Sequence, residues 1–349
     1  MHVKWVTWLR YITFFTAIFA WLVIGLGAYT RLTDAGLGCP DWPGCYGHFV
    51  VSSPNPLLNA PKAWTEMIHR YCAGLLGFLI IINAAIATRV ANRFGCQFLI
   101  LGMLLFALLI YQAVLGMWTV TLKLLPMIVT QHLLGGMTIL TLLWLLHLKS
   151  RQALKLNPPN DWHRRPTPAP ARGFSKGVFN LKTAVILGLI LVCLQIALGA
   201  WTSTNYAAIS CPDFPFCQAQ SWQFNFHDAF NLWSSVHNNK FAQMTIQITH
   251  RLGALIVSLY LLFLMAWIYQ QDLKSLKKTM RIIIIILLTQ VSLGILNILL
   301  SLPLFIAVAH NLCAALLLIS MISLNFKVFA KPATLLHWRW QNDCQTGNA

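Results

Sequence analysis

Eight runs of apolar residues, each near the ~20 residues that cross a hydrocarbon core, constrain this chain more than any motif does. They lie at roughly 11–30, 66–88, 97–119, 127–148, 182–202, 245–269, 281–301 and 304–327. Lipid offers the backbone no hydrogen-bond partner, and the alternating ten-residue pattern of barrel strands is missing, so the runs are expected to be helices. Composition agrees. With 58% hydrophobic and 9% charged residues, a soluble domain of 349 residues could not hide its apolar surface. The expected class is an all-α integral membrane protein.

Charge then orients the spans. Placing the N-terminus, the 89–96 turn, the 149–182 stretch, the 270–281 turn and the C-terminal tail on one side collects 19 of the 25 Lys and Arg. That bias predicts a multi-pass protein with both termini in the cytoplasm. The net charge of +17 is read as a topology signal and as contact with anionic membrane lipid, not as a nucleic-acid surface. No small-residue cleavage site follows the first apolar run, and no mitochondrial-type leader is visible, so the expected address is a bacterial plasma (inner) membrane.

The chain is also written twice. Leu26-Gly27-Ala28 through Cys39-Pro40-Asp41-Trp42-Pro43-Gly44-Cys45 aligns without a gap on Leu198-Gly199-Ala200 through Cys211-Pro212-Asp213-Phe214-Pro215-Phe216-Cys217, at an offset of 172 residues. His69-Arg70 matches His250-Arg251 at an offset of 181, and His132 matches His310 at 178, just after the paired Gln112-x-x-Leu115-Gly116 and Gln290-x-x-Leu293-Gly294. Four spans per copy, an even number, imply two four-helix bundles entering the membrane in the same sense, a parallel repeat. The expected division is residues 1–148, a Pro-rich cytoplasmic connection at 149–180, a second bundle at 181–330 and a tail at 331–349. Short surface helices are expected in the two long external loops, for example near 228–233.

Each histidine falls three to six residues into an even-numbered span, which places all four within ~10 Å of the outer (periplasmic) side. Their recurrence in both copies favours function over a lone interhelical hydrogen bond. Zinc would ask for more protein ligands than two imidazoles, and no Cys or Asp beside them repeats. Haem fits better, because two axial imidazoles satisfy its iron and a bundle supplies a dry slot. Arg70 and Arg251 are candidates either for pairing with haem propionates or for reaching the membrane interface.

Cys39/Cys45 and Cys211/Cys217 lie in external loops where Pro-Asp-aromatic-Pro turns the chain back, so each pair is expected to form a disulfide, as a staple or as a dithiol that cycles. Cys72, Cys96, Cys193, Cys313 and Cys344 have no repeated partner and read as small buried hydrophobes or free thiols. The copies differ at one carboxylate. Glu66, the only glutamate in the chain, stands three residues before His69, where the second copy has Gln247 before His250. A charge at a helix N-terminus is its bland role; proton transfer or cation stabilisation at one of two similar haem sites is the sharper one.

The pattern Glu66-x-x-His69-Arg70 with His132, then His250-Arg251 with His310, eight spans and an external Cys pair per half resembles the heme A synthase family over residues 10–328. The resemblance implies oxidation of the C8 methyl of heme O to a formyl group by two successive hydroxylations, giving heme A for cytochrome oxidase. It implies a haem b cofactor on His250 and His310, substrate haem at His69 and His132, a requirement for Glu66, and a functional role for Cys39 and Cys45. A heme O synthase is a candidate partner because free hydrophobic haem should not diffuse unescorted, and an electron donor or acceptor and a second copy of the chain are further candidates that the sequence leaves open. Two other readings of the same residues are a dihaem cytochrome carrying electrons between quinol and a partner, which has no need of Glu66, and a transporter built on a parallel repeat.

Overall fold

A computed structural model of the protein describes residues 2–51, 60–156, 177–214, 217, 223–233, 235–236, 238–271 and 273–329. Most of the 149–180 connection, the 331–349 tail and Cys344 lie outside these residues. Among the described residues the chain is helical throughout: α1 (His2–Leu32), α2 (Ala60–Phe94), α3 (Gln97–Thr121), α4 (Pro126–Leu156), α5 (Gly177–Thr204), the short α6 (Phe226–Ala229), α7 (Lys240–Gln270), α8 (Lys274–Leu299) and α9 (Leu304–Phe329). Eight of them are long and apolar enough to cross a membrane, as the eight runs require. The protein is a multi-pass membrane protein.

The helices run past the apolar runs because polar residues start and cap them. α2 opens on Ala60-Pro61, with proline where a helix needs no amide donor, six residues before its apolar run. α7 starts at Lys240 because the Asn239 side chain accepts from the Ala242 amide. Consequently His69 and His250 sit about a turn and a half deeper in their helices than the apolar runs alone indicate, at ~14–15 Å from the helix start against ~9 Å for His132 and His310. The short α6 is the surface helix expected near 228–233, shifted toward the N-terminus.

In the first half α1 packs on α2 and α4, and α3 on α2 and α4; in the second α5 packs on α7 and α9, and α8 on the same two. The halves meet through α1 and α4 against α5 and α9. One apolar core runs through both, from Leu9, Leu140 and Leu143 to Leu261, Met321 and Leu324. Polar bonds cross the seam: Trp21 Nε1 donates to the Leu312 carbonyl at 3.0 Å, and Trp144 Nε1 to Ser323 Oγ at 2.8 Å. Arg31 of α1 donates to the Ser203 carbonyl at 3.0 Å, in the last turn of α5 where carbonyls lack helical partners, and lies 4.0 Å over the Tyr206 ring.

The backbone repeats where the sequence does not. Asp34 and Tyr206, related by the first offset, both take a left-handed conformation after their helix, with φ of 51° and 54°. So do Lys123-Leu124 (49°, 58°) and Ser301-Leu302 (56°, 64°), in the turns that lead into the helices carrying His132 and His310. Side chains other than glycine take this region at a cost, so its recurrence at unlike residues reflects shared geometry rather than shared chemistry.

Candidate functional site

Each of the four repeated histidines is seated against a glycine of a neighbouring helix. A Cβ added to Gly27 of α1 would stand 3.0 Å from Cε1 of His69 on α2, and one added to Gly199 of α5 would stand 3.1 Å from Cε1 of His250 on α7. Gly116 of α3 holds the same relation to His132 on α4 (3.4 Å), and Gly294 of α8 to His310 on α9 (3.1 Å). These glycines belong to the repeated Leu-Gly-Ala and Gln-x-x-Leu-Gly motifs, which thereby gain a physical reason: the backbone clears space for a ring. The two histidines of each half lie within electrostatic range of each other, His69 with His132 and His250 with His310. The structure therefore assembles two matching imidazole pairs, one per half.

The donor set fits haem. Among the described residues no three His, Cys, Asp or Glu side chains gather as metal ligands, which leaves a pair of imidazoles as the repeated set and suits axial ligation. Nδ1 of His69, His132 and His310 is buried with no hydrogen-bond partner, a cost that unplaced polar chemistry at these sites would relieve.

Glu66 does not reach His69 by any hydrogen bond; it holds the Cys39–Cys45 loop. Its side chain is buried, with Oε2 accepting from the Cys39 amide at 2.9 Å and Oε1 from Arg70 Nη2 at 2.5 Å. Arg70 Nη1 in turn donates to the carbonyls of Asp41 (2.9 Å) and Gly44 (2.6 Å). In the second half Gln247, equally buried, holds its loop without charge and through other partners: Nε2 donates to the Ala208 carbonyl at 2.5 Å and Oε1 accepts from Ser210 Oγ at 3.1 Å. Arg251 donates to the carbonyls of Asp213 (2.8 Å) and Cys211 (2.5 Å), so the Arg70–Asp41 bond is repeated in it. Both arginines thus latch a loop onto a histidine-bearing helix.

Both cysteine pairs are disulfides, Cys39–Cys45 and Cys211–Cys217. The loops lie close on the helices: Cys39 and Cys45 pack with Ala63 and Met67, and Cys211 and Cys217 with Met244 and Ile248. A Cβ on Gly38 would fall 2.6 Å from the Lys62 backbone, so only glycine permits that approach. Asp41 folds the first loop tip by accepting the amides of Tyr46 (2.6 Å) and Gly47 (2.7 Å). Partial burial raises its pKa, but these amide bonds and the Arg70 charge outweigh that and hold it below the usual carboxylate value. Among the described residues Cys72, Cys193 and Cys313 form no disulfide.

Two glutamines escaped the sequence reading. Gln195 Nε2 lies 2.9 Å from His250 Nδ1, and Gln290 Nε2 lies 3.2 Å from His310 Nε2. Gln290 was legible as a repeated motif residue without an assigned task. Gln195 left no such trace, because the first copy has Val23 at that position.

Comparison with known proteins places this arrangement. The family model of the cytochrome oxidase assembly protein COX15-CtaA matches residues 10–322. The heme A synthase of Shewanella oneidensis is 39% identical across 94% of this chain and 98% of its own length. That of Halalkalibacterium halodurans is 25% identical across 86% and 91%, and that of Wolbachia pipientis 23% identical across 92% of each. With paired histidines on eight long apolar helices and a family match over residues 10–322, the chain belongs to the COX15-CtaA cytochrome oxidase assembly protein family.

Proposed function

We propose that the protein is a heme A synthase, oxidising the C8 methyl of heme O to a formyl group. Full-length relatives bearing that name and two glycine-seated histidine pairs support the reading. The observation that carries it is the contrast of Glu66 with Gln247 at corresponding positions of two similar frames, because a synthase needs one haem to be changed and one to stay. The first half, residues 1–148, then takes heme O between His69 and His132. The second, residues 181–330, retains haem b between His250 and His310. The two halves are parallel repeats joined by the 149–180 connection.

A methyl C–H is too inert for any side chain at the site, so the retained haem, when bound, supplies redox chemistry that the protein cannot. This chain's own residues position and balance charge. Glu66 sits one turn before His69, fixed from one side by the Cys39 amide and from the other by Arg70, so its carboxylate keeps one place while substrate enters and leaves. From there it stabilises positive charge at the methyl carbon or takes a proton from attacking water. Arg70 and Arg251 stand beside the histidines, and haem propionates would share guanidinium groups that now hold loop carbonyls. Lys and Arg crowding at the end away from the disulfide loops supports a bacterial inner-membrane setting with both termini in the cytoplasm and the histidines toward the periplasm.

Haem extracted from membranes containing this protein together with a heme O synthase tests the reading. Heme A in the chromatogram is the expected result. Unmodified heme O with the protein present and haem-loaded would reduce it to an electron carrier, and a colourless purified protein would point to transport.

A further inference from the structure

The two halves differ at a second place, where glutamine meets histidine. In the C-terminal half both rings touch a glutamine amide, His250 that of Gln195 and His310 that of Gln290. In the N-terminal half neither does: Nδ1 of His69 and of His132 is buried without a partner, as it is in His310, and so is the amide nitrogen of Gln112, the repeat mate of Gln290.

Glycine and cysteine exchange places to produce this difference. Gln195 lies across Gly253, where an added Cβ would come within 2.2 Å of its Oε1. In the first copy the corresponding positions hold Val23 and Cys72, an apolar pair with no amide and no groove for one. The exchange runs the other way at the second histidine. Gln112 turns away from His132 into the space over Gly135, where a Cβ would overlap its amide nitrogen. The second copy has Cys313 at that position, so the groove is filled and Gln290 lies on the His310 ring instead.

We propose that Gln195, admitted by Gly253, is a positioning residue that anchors His250 and so retains the haem of the C-terminal half, while Val23 and Cys72 at the corresponding positions leave the haem of the N-terminal half exchangeable. The inference rests on the synthase reading, in which one haem must be released after each conversion and the other must not. A histidine that ligates iron through one ring nitrogen is oriented by the hydrogen bond at the other, which also sets its basicity. Gln195 Nε2 lies 2.9 Å from both His250 Nδ1 and the His250 carbonyl, while its Oε1 has no partner; half a turn about the last torsion brings Oε1 to a ring N–H at the expense of the carbonyl bond. An unanchored imidazole rotates and dissociates more readily, as a product site requires.

The test compares wild type with Gln195→Val, Gln195→Glu and the double variant Val23→Gln/Cys72→Gly in purified full-length protein. Two quantities are read: haem transfer to excess apomyoglobin, and the midpoint potential of the retained haem. Gln195→Val should speed transfer about tenfold, the scale of one lost hydrogen bond, and raise the potential. Gln195→Glu, a stronger acceptor for a ring N–H, should keep transfer slow and lower the potential, which a purely space-filling residue would not do. The double variant should slow release from the N-terminal half. Unchanged transfer and potential in both Gln195 variants would overturn the proposal while leaving the synthase reading intact. A retained-haem spectrum that survives His250→Ala and His310→Ala would instead overturn the assignment of the halves on which it rests.

Discussion

The Glu66 carboxylate and the Arg70 guanidinium meet at 2.5 Å one helical turn apart, and between them they hold the Cys39–Cys45 loop against α2. The only glutamate of the chain is therefore an anchor of loop structure as well as the residue that distinguishes the two histidine pairs. Gln247 shows that anchoring needs no charge. Because a neutral side chain suffices for the loop of the second half, the carboxylate in the first calls for a reason in chemistry.

Removing the side chain altogether should separate the two tasks. Glu66→Ala leaves the Cys39 amide without its acceptor and Arg70 without its counter-ion in a buried setting, at a cost of about 1–3 kcal/mol for such groups. Limited proteolysis of the 31–51 segment should become faster in Glu66→Ala and stay near wild type in Glu66→Gln. Equal protection in both variants would mean that the loop does not depend on position 66.

The glycine seats predict a graded series. Gly27→Ala and Gly199→Ala place a methyl about 3 Å from an imidazole carbon, tighter than ordinary contact, so the ring must shift; Gly116→Ala at 3.4 Å asks less. The bis-imidazole spectrum should weaken most for Gly199→Ala and Gly294→Ala, in the half proposed to keep its haem. Gly27→Ala should lower heme A output more than Gly116→Ala does, measured by haem extraction. Indifference of all four positions would remove the seats from the account.

His250→Ala and His310→Ala should each abolish the low-spin bis-imidazole spectrum of the purified protein. His69→Ala and His132→Ala should leave that spectrum in place and stop conversion. The reverse distribution would exchange the roles of the halves.

The Asp41 latch predicts a pH dependence with a definite sign. Its pKa is lowered in the folded loop, so the carboxylate stabilises the loop at pH values above the ordinary Asp value and loses that effect as pH falls through the lowered one. Exchange of the Tyr46 and Gly47 amides, taken relative to the intrinsic rate at each pH, should therefore accelerate on acidification. In Asp41→Asn it should be faster at neutral pH and lose the acid-dependent step.

Much of this was legible in the sequence because lipid and duplication restrict the options. Eight spans follow from the apolar runs, and the histidines declared themselves by recurring. Helix starts were less legible: Lys240 and Ala60 begin helices through a cap and a proline, which hydropathy does not register. The loop contacts of Arg70 and Arg251 join residues about 26 to 40 positions apart, and only folding brings those carbonyls to the guanidinium. Gln195 was hidden for the opposite reason, since a search for what the copies share passes over what only one of them has.

The central claim is that the first half changes its haem through Glu66, and one measurement addresses it most directly. Haem is extracted from membranes carrying wild type or Glu66→Gln, each beside a heme O synthase, and resolved by chromatography. The variant should still bind haem and keep its loop, yet accumulate heme O or its hydroxylated intermediate in place of heme A. Heme A at the wild-type level from Glu66→Gln would contradict the account.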